Sequence, residues 1–202
     1  LWDDVASTMR NLIGADSSVV FSTSTADQLV FVHDTAMDVS LRGDYSTYYC
    51  NIDEWRAGAI SHSLFVAGNT VTDDMLVNRT RFLRSEFFND FAKKCGFDRM
   101  CGIIVEADKS YNHTTNMSFF RKLGEPGFDR ADLECLKPYL PHLTRAFRTV
   151  RSLRTASARW GFEFIETLGW AVLLLDGMGK VRVTNSVAAK LAQDGDGFQV
   201  VG

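Results

Sequence analysis

An α+β fold, an antiparallel sheet with helices packed on it, follows from three features of this 202-residue sequence. Strand-like runs come in pairs joined by short polar turns: "SSVVFST" (17–23) with "QLVFVHD" (28–34), then "RMCGIIVEA" (99–107) with "TNMSFFRKL" (115–123). Helical stripes lie before and between these pairs, whereas a parallel doubly wound sheet alternates strands and helices one by one. No Gly-rich phosphate turn follows the first strand either.

Each element has its own signal. Trp2, Val5, Met9, Leu12 and Ile13 form a helical stripe that ends near Gly14. The first strand pair turns at a polar stretch containing Asp27, and the second at 108–114. Between them lies the aromatic segment "DYSTYYCNIDEW" (44–55), a mixed stretch 60–71, and a helical region opening at Thr72. Thr72 is a candidate N-cap, with Asp73 and Asp74 suited to the positive end of a helix. The same region closes with "RSEFFNDFAKKCGF" (84–97), where Phe87, Phe88, Phe91 and Ala92 make one apolar face and Gly96 a stop. That face reads as core.

From Asp129, a natural N-cap, the pattern changes. Leu133, Leu136, Leu140, Leu143, Phe147, Val150 and Leu153 recur at near-heptad spacing, flanked by Arg145, Arg148, Arg151 and Arg154. Pro138 and Pro141 interrupt the run, and a kinked helix is the favoured reading. The seam serves either as a dimer contact, through Leu136, Leu140, Leu143, Phe147 and Val150, or as packing on the protein's own sheet. A second helix at about 156–168, a hairpin "WAVLLLD-GMG-KVRVTN" and a short helix capped by Asn185 or Ser186 follow. The expected division is an α+β domain over 1–128, a linker and dimerisation helix over 129–157, and a hairpin-helix segment over 158–202 that continues in a longer chain.

Composition excludes several classes. Lys and Arg (22) are outnumbered by Asp and Glu (25), which argues against a general nucleic-acid surface. The apolar run "WAVLLL" (170–175) is far short of the roughly 20 residues that cross a bilayer. With no secretory signal, a cytoplasmic location is expected. The cysteines (Cys50, Cys95, Cys101, Cys135) and histidines (His33, His62, His113, His142) match no metal spacing, so neither metal nor cofactor is expected.

Three blocks in order, "FLRSEFFNDFAKKCGFDRMCGIIV", "FRKLGEPGFDRADLECLKPYLPHLTRAFR" and "GWAVLLLDGMGKVRVTNSVAAKLAQDGDGF", resemble bacterial LuxR-type transcriptional regulators. The resemblance covers about 82–200. It implies a GAF- or PAS-like sensor, a linker helix and a hairpin-helix segment ahead of a helix-turn-helix, which does not follow within this sequence. Specific operator binding is therefore not expected of these residues alone.

The aromatic segment is the candidate ligand site. Tyr45, Tyr48, Tyr49 and Trp55 cluster around Asp53, and Phe65 lies downstream; such a set suits a mostly apolar pocket with a few polar handles. Autoinducer-binding LuxR proteins have a similar aromatic-then-Asp stretch. Here Glu54 follows Asp53 and the tryptophan comes after it, so lactone specificity is not carried over. Two alternatives compete: a ligand-free dimerisation scaffold, and a thiol-based redox sensor or enzyme using Cys50, Cys95 or Cys101. The second is weakened because Cys95 sits at the C-terminal end of its helix, where a thiolate is disfavoured. No Ser-His-Asp pattern is legible, and no catalytic residue is assigned.

Overall fold

The structure is a computed structural model and describes residues 2–23, 29–108, 113–175, 179 and 181–194. The expected turn at Asp27, most of the 108–114 turn, the Gly177-Met178 part of the hairpin turn, the tail from Gly195 and the side chain of Arg154 lie outside the described residues. By packing, the chain divides into two units, Leu1–Phe147 and Arg148–Gly202.

The first unit is built on a five-stranded antiparallel sheet, ordered β2-β1-β5-β4-β3. Its strands are β1 (Ser17–Thr23), β2 (Leu29–Asp34), β3 (Thr70–Thr72), β4 (Arg99–Asp108) and β5 (His113–Arg121). Alternation along each strand sends side chains to opposite faces. Val20, Cys101, Ile103, Val105, Met117 and Phe119 pack on one face against Ala6 and Met9 of α1 (Trp2–Leu12) and Ile13 just after it. The same cluster takes Leu136 from α6 (Arg130–Leu136), and Leu143 and Phe147 from α7 (Leu140–Glu166). Val19, Met100 and Phe120 face the other way, into a second core. That core is covered by α2 (Val39–Thr47), α3 (Glu54–Ser61), α4 (Asp73–Leu76), α5 (Arg79–Phe82) and a π-helix, Phe87–Ala92.

Local chemistry explains the joints. Asp129 caps α6 as expected, in a reciprocal box: its Oδ1 accepts from the Ala131 and Asp132 amides, and Asp132 accepts from the Asp129 amide at 3.0 Å. Thr72 occupies the N-cap of α4 but its hydroxyl makes no capping bond. Arg121 ties the α1 end to the approach of α6, donating to the Ile13, Gly14 and Gly127 carbonyls and lying 4.0 Å over the Phe128 ring. The prolines divide the helical seam instead of kinking one helix. Pro138 falls in a 3-10 turn (Lys137–Tyr139), and Pro141 in the first turn of α7, where its missing amide costs little.

The amphipathic helix expected at 84–95 is realised as a π-helix. The Lys93 amide reaches back five residues to the Phe88 carbonyl, at 2.9 Å. The wider turn brings Phe87, Phe88, Phe91 and Ala92 all into the core, which a 3.6-residue period does less well. Gly96 ends the segment with φ +75°, the left-handed stop that the sequence suggested.

In the second unit α7 continues unbroken to Glu166, where two helices were expected. β6 (Leu173–Leu175) and β7 (Val181–Thr184) pair antiparallel and α8 (Ser186–Asp194) follows. Asn185 is fully buried, and its side chain bonds to other residues of this unit. Its Oδ1 accepts from the Val172 and Ala188 amides, and its Nδ2 donates to the Ile165 and Trp170 carbonyls. The cap of α8 is therefore Asn185 rather than Ser186.

The dimer seam expected from Leu136, Leu140, Leu143, Phe147 and Val150 needs correction. Leu136, Leu143 and Phe147 are 0–6% exposed within a single chain, packed on the chain's own sheet, so they offer no surface to a second copy. Leu140 packs partly on the same core, and Val150 is half-buried. The near-heptad spacing reflects packing on a flat sheet, which makes the same demand on a helix as a partner helix does. Residues 129–147 thus belong to the first unit.

Candidate functional site

Between the sheet and its helical cover on the α2–α3 side lies a cavity of about 80 Å³. Its floor is formed by alternate sheet residues, among them Val19, Phe21, Gly102, Asn116 and Ser118; helix and loop side chains form the roof. Among the expected residues, Tyr45, Asp53, Trp55 and Phe65 line it. Tyr48 and Tyr49 do not. Tyr48 is half exposed and donates its hydroxyl to Glu86 at 2.7 Å on the surface. Tyr49 stacks on Phe91, with ring centroids 4.8 Å apart, without reaching the cavity itself. A 3-10 turn (Tyr49–Asn51) follows α2 here, leaving Tyr48 at the surface and Tyr49 behind Phe91, and nothing in residue type alone announces that.

Tyr45 and Asp53 form the polar joint of the roof. Asp53 caps α3: its Oδ1 accepts from the Trp55 and Arg56 amides at 2.9 and 3.1 Å. Its Oδ2 accepts the Tyr45 hydroxyl at 2.7 Å. Burial pushes the Asp53 carboxyl above its ordinary value despite these bonds, and pushes the Tyr45 hydroxyl well above its own, with the neighbouring Asp53 adding to the shift. The Tyr45 ring stands edge-on to Phe21 and Phe31, each 6.3 Å away. Trp55 stacks on Phe82 at 4.6 Å and stands edge-on to Phe87. Trp55 Nε1 and Asn116 Oδ1 are buried without a hydrogen-bond partner.

Asn116, Phe21, Phe31 and Met37 were not anticipated as lining, and Phe91, from the face expected in the core, borders the cavity as well. Asn116 had a usable signal: in "TNMSFFR" residues 116, 118 and 120 share one strand face, so a carboxamide there lies beside Phe120.

The cysteines form no disulfide in this geometry. All four are free thiols. Burial pushes the Cys95 thiol up to about 12 and that of Cys101 well above its ordinary range, opposite to the shift a reactive thiolate needs. A Ser-His-Asp arrangement that the sequence did not show is present: His33 lies 3.0 Å from Ser18 Oγ through Nε2 and 2.5 Å from Asp3 through Nδ1. Ser18 is fully buried and absent from the cavity lining, so its hydroxyl has no approach for a substrate; the cluster clips α1 to β1 and β2. Among the described residues no group of His, Cys, Asp or Glu is arranged to hold a metal ion, and no helix is long and apolar enough to cross a membrane.

The sequence matches no protein-family profile and no curated protein. Solved structures share the fold. The LBD domain of VqsR from Pseudomonas aeruginosa superposes with a TM-score of 0.57 at 16% identity, over 71% of this chain and 84% of that one. A domain of a two-component sensor histidine kinase protein from Sinorhizobium meliloti 1021 gives 0.51 at 7% identity, over 77% and 94%. The N-acylhomoserine lactone dependent LuxR-family transcription factor CepR2 from Burkholderia cenocepacia gives 0.46 at 16% identity, over 70% and 79%. At such identities the likeness is one of fold, and the first two structures carry it: the chain has the α+β architecture, antiparallel sheet and packed helices, that its sequence led us to expect.

Proposed function

We propose that the first unit is the ligand-sensing domain of a LuxR-type transcriptional regulator, a regulatory rather than a catalytic module. Its ligand is a compact, mostly apolar metabolite, and the regulator's DNA-binding domain lies outside these residues. The observation that carries this reading is the aromatic cavity over the sheet, lined by Tyr45, Asp53, Trp55 and Phe65. The three sequence blocks and the fold shared with the VqsR LBD domain agree with it.

We infer further that the chain self-associates, through the part of α7 beyond Val150. Leu153, Trp160 and Phe164 are 62%, 74% and 64% exposed and recur at seven and four residues, one helical face of large apolar side chains. Like faces of this kind bury each other in a two-fold pair.

A ligand-free scaffold is the second reading, favoured by the cavity's size. About 80 Å³ is well under the roughly 300–1,000 Å³ of pockets for drug-sized molecules. Native mass spectrometry of the purified chain separates the two. The sensing reading expects a small-molecule mass that leaves on denaturation and that falls in occupancy in Gly102→Ala. A Cβ at Gly102 points among Met100 and Val71 with no contact under 3.5 Å, so the variant narrows the cavity without disturbing the fold. A bare chain mass, together with no thermal stabilisation by any small apolar compound, supports the scaffold.

A further inference from the structure

We propose that the cavity selects an uncharged ligand through Trp55 and Asn116, an indole N–H and a carboxamide, and not through the carboxylate of Asp53. The ligand class is a compact, flat apolar body bearing a carbonyl acceptor and an N–H donor, as in a carboxamide or lactam. This rests on the reading of the cavity as a ligand site and adds the chemistry of that ligand.

Asp53 looks like the natural anchor by residue type, but its bonds are committed. Both carboxylate oxygens already accept from the protein, in capping α3 and holding Tyr45. A ligand bonding there would compete with the interactions that keep the roof in place. Trp55 and Asn116 differ. They are 4% and 6% exposed, both line the cavity, and Trp55 Nε1 and Asn116 Oδ1 have no protein partner. Among the described residues the remaining buried atom of this kind, Asp73 Oδ1, belongs to a carboxylate paired with Arg99 and absent from the cavity lining. So both residues that carry an unbonded polar atom in this core line the same cavity.

Their chemistry defines the complement. An indole N–H only donates and asks for an acceptor; a carboxamide accepts through Oδ1 and asks for a donor. Buried polar groups are held at a cost until bonded, so a ligand that bonds both recovers what the free protein lacks. The lining is mostly apolar, and bringing an ion into it costs far more than bringing an amide, while the buried Asp53 carboxylate adds repulsion for an anion. Asn116 also sits opposite Ile104, beside the irregularity between Ile104 and Glu106 in β4. Bulges of this kind serve to re-aim a side chain near a site.

The test uses the full chain and three probes of nearly one shape: benzamide, toluene and benzoate, read by calorimetry and thermal shift. Benzamide is expected to bind at least about tenfold more tightly than toluene, with benzoate not binding. An amide is better hydrated than toluene, so its preference requires partners in the cavity. In Asn116→Leu the preference should fall to parity or reverse, while the thermal midpoint of the free protein holds or rises, because an unbonded polar group has been removed. Trp55→Phe keeps the ring packing and should lose the preference likewise. Equal binding of benzamide and toluene by the wild-type chain overturns the proposal and leaves the ligand site standing. Asn116→Leu with a lowered midpoint and an unchanged preference overturns it too, since the carboxamide is then structural. Binding of neither probe removes the ligand site and the proposal together.

Discussion

Asp53 is a carboxylate whose burial and bonding pull in opposite directions. Burial raises its folded-state pKa above the ordinary 3.8, and the bonds from Arg56, Tyr45 and Trp55 lower it without fully compensating. Below pH 3.8 both folded and unfolded states are protonated. As pH rises from there towards the folded value, the unfolded state ionises first, so the contribution of Asp53 to stability is full below pH 3.8 and is lost as pH rises through the folded pKa. Asn at this position resembles the protonated acid. The stability of wild type relative to Asp53→Asn is therefore expected to be greatest in acid and to decline towards neutrality, read as the difference between urea midpoints across pH. Asp53→Ala is expected to cost about 2–3 kcal/mol at neutral pH, because the α3 cap and the Tyr45 partner go together. At this scale the sequence was informative where residue type decides. A cluster of Tyr, Trp and Asp marked the cavity's roof, and four of its six expected members are there. Tyr48 and Tyr49 were misplaced because direction depends on a turn, and Asn116 was passed over because strand register decides what faces the cavity.

Among the elements, periodicity located α1, the two strand pairs, the 84–97 stretch, the long helical region and the final hairpin and helix, but left α2, α3 and β3 unassigned and did not give the winding. The 84–97 stretch gave the right buried residues and the right stop, yet the π-turn arises because three phenylalanines and Ala92 compete for one face, a tertiary demand that local pattern does not carry. Two glycines test how tightly these elements are held. Gly58 of α3 approaches α4 so closely that a Cβ would lie 2.2 Å from the Leu76 carbonyl oxygen. Since backbone has to move, Gly58→Ala is expected to cost about 1–3 kcal/mol. Gly96→Ala meets nothing nearer than 3.7 Å, so its cost is conformational, about 1 kcal/mol for the left-handed backbone. Chemical denaturation reads both, and the larger loss belongs to the glycine with the ordinary φ.

For the molecule as a whole, the antiparallel α+β class was legible because strand pairing is local in sequence. The division into units was not, since the leucine seam carries no label for the surface it meets. Burial supplies that label and a prediction. Leu143→Glu or Phe147→Glu places an unpaired charge in the core of the first unit and is expected to unfold it, at more than about 4 kcal/mol, rather than release a folded monomer. Trp160→Lys with Phe164→Lys alters exposed side chains only. It is expected to leave circular dichroism unchanged and to shift sedimentation towards the monomer; a wild-type chain that is monomeric at high micromolar concentration would remove the self-association proposal.

Val105 falls at the irregularity of β4, between Ile104, which pairs with Asn116, and Glu106, which pairs with Thr115. Its side chain is buried in the α1–α7 core, and its carbonyl accepts the Thr144 hydroxyl of α7 at 3.2 Å. One peptide thus has the cavity's carboxamide as a close neighbour on one side and the long helix as a bonded neighbour on the other. An occupant that pressed on Asn116 and moved that peptide by a fraction of an ångström would stretch or shorten the Thr144 bond directly. The sheet would then act as a diaphragm: pressure on one face would register on the other with no intermediate part to move, and the first turns of α7 would be where it is felt.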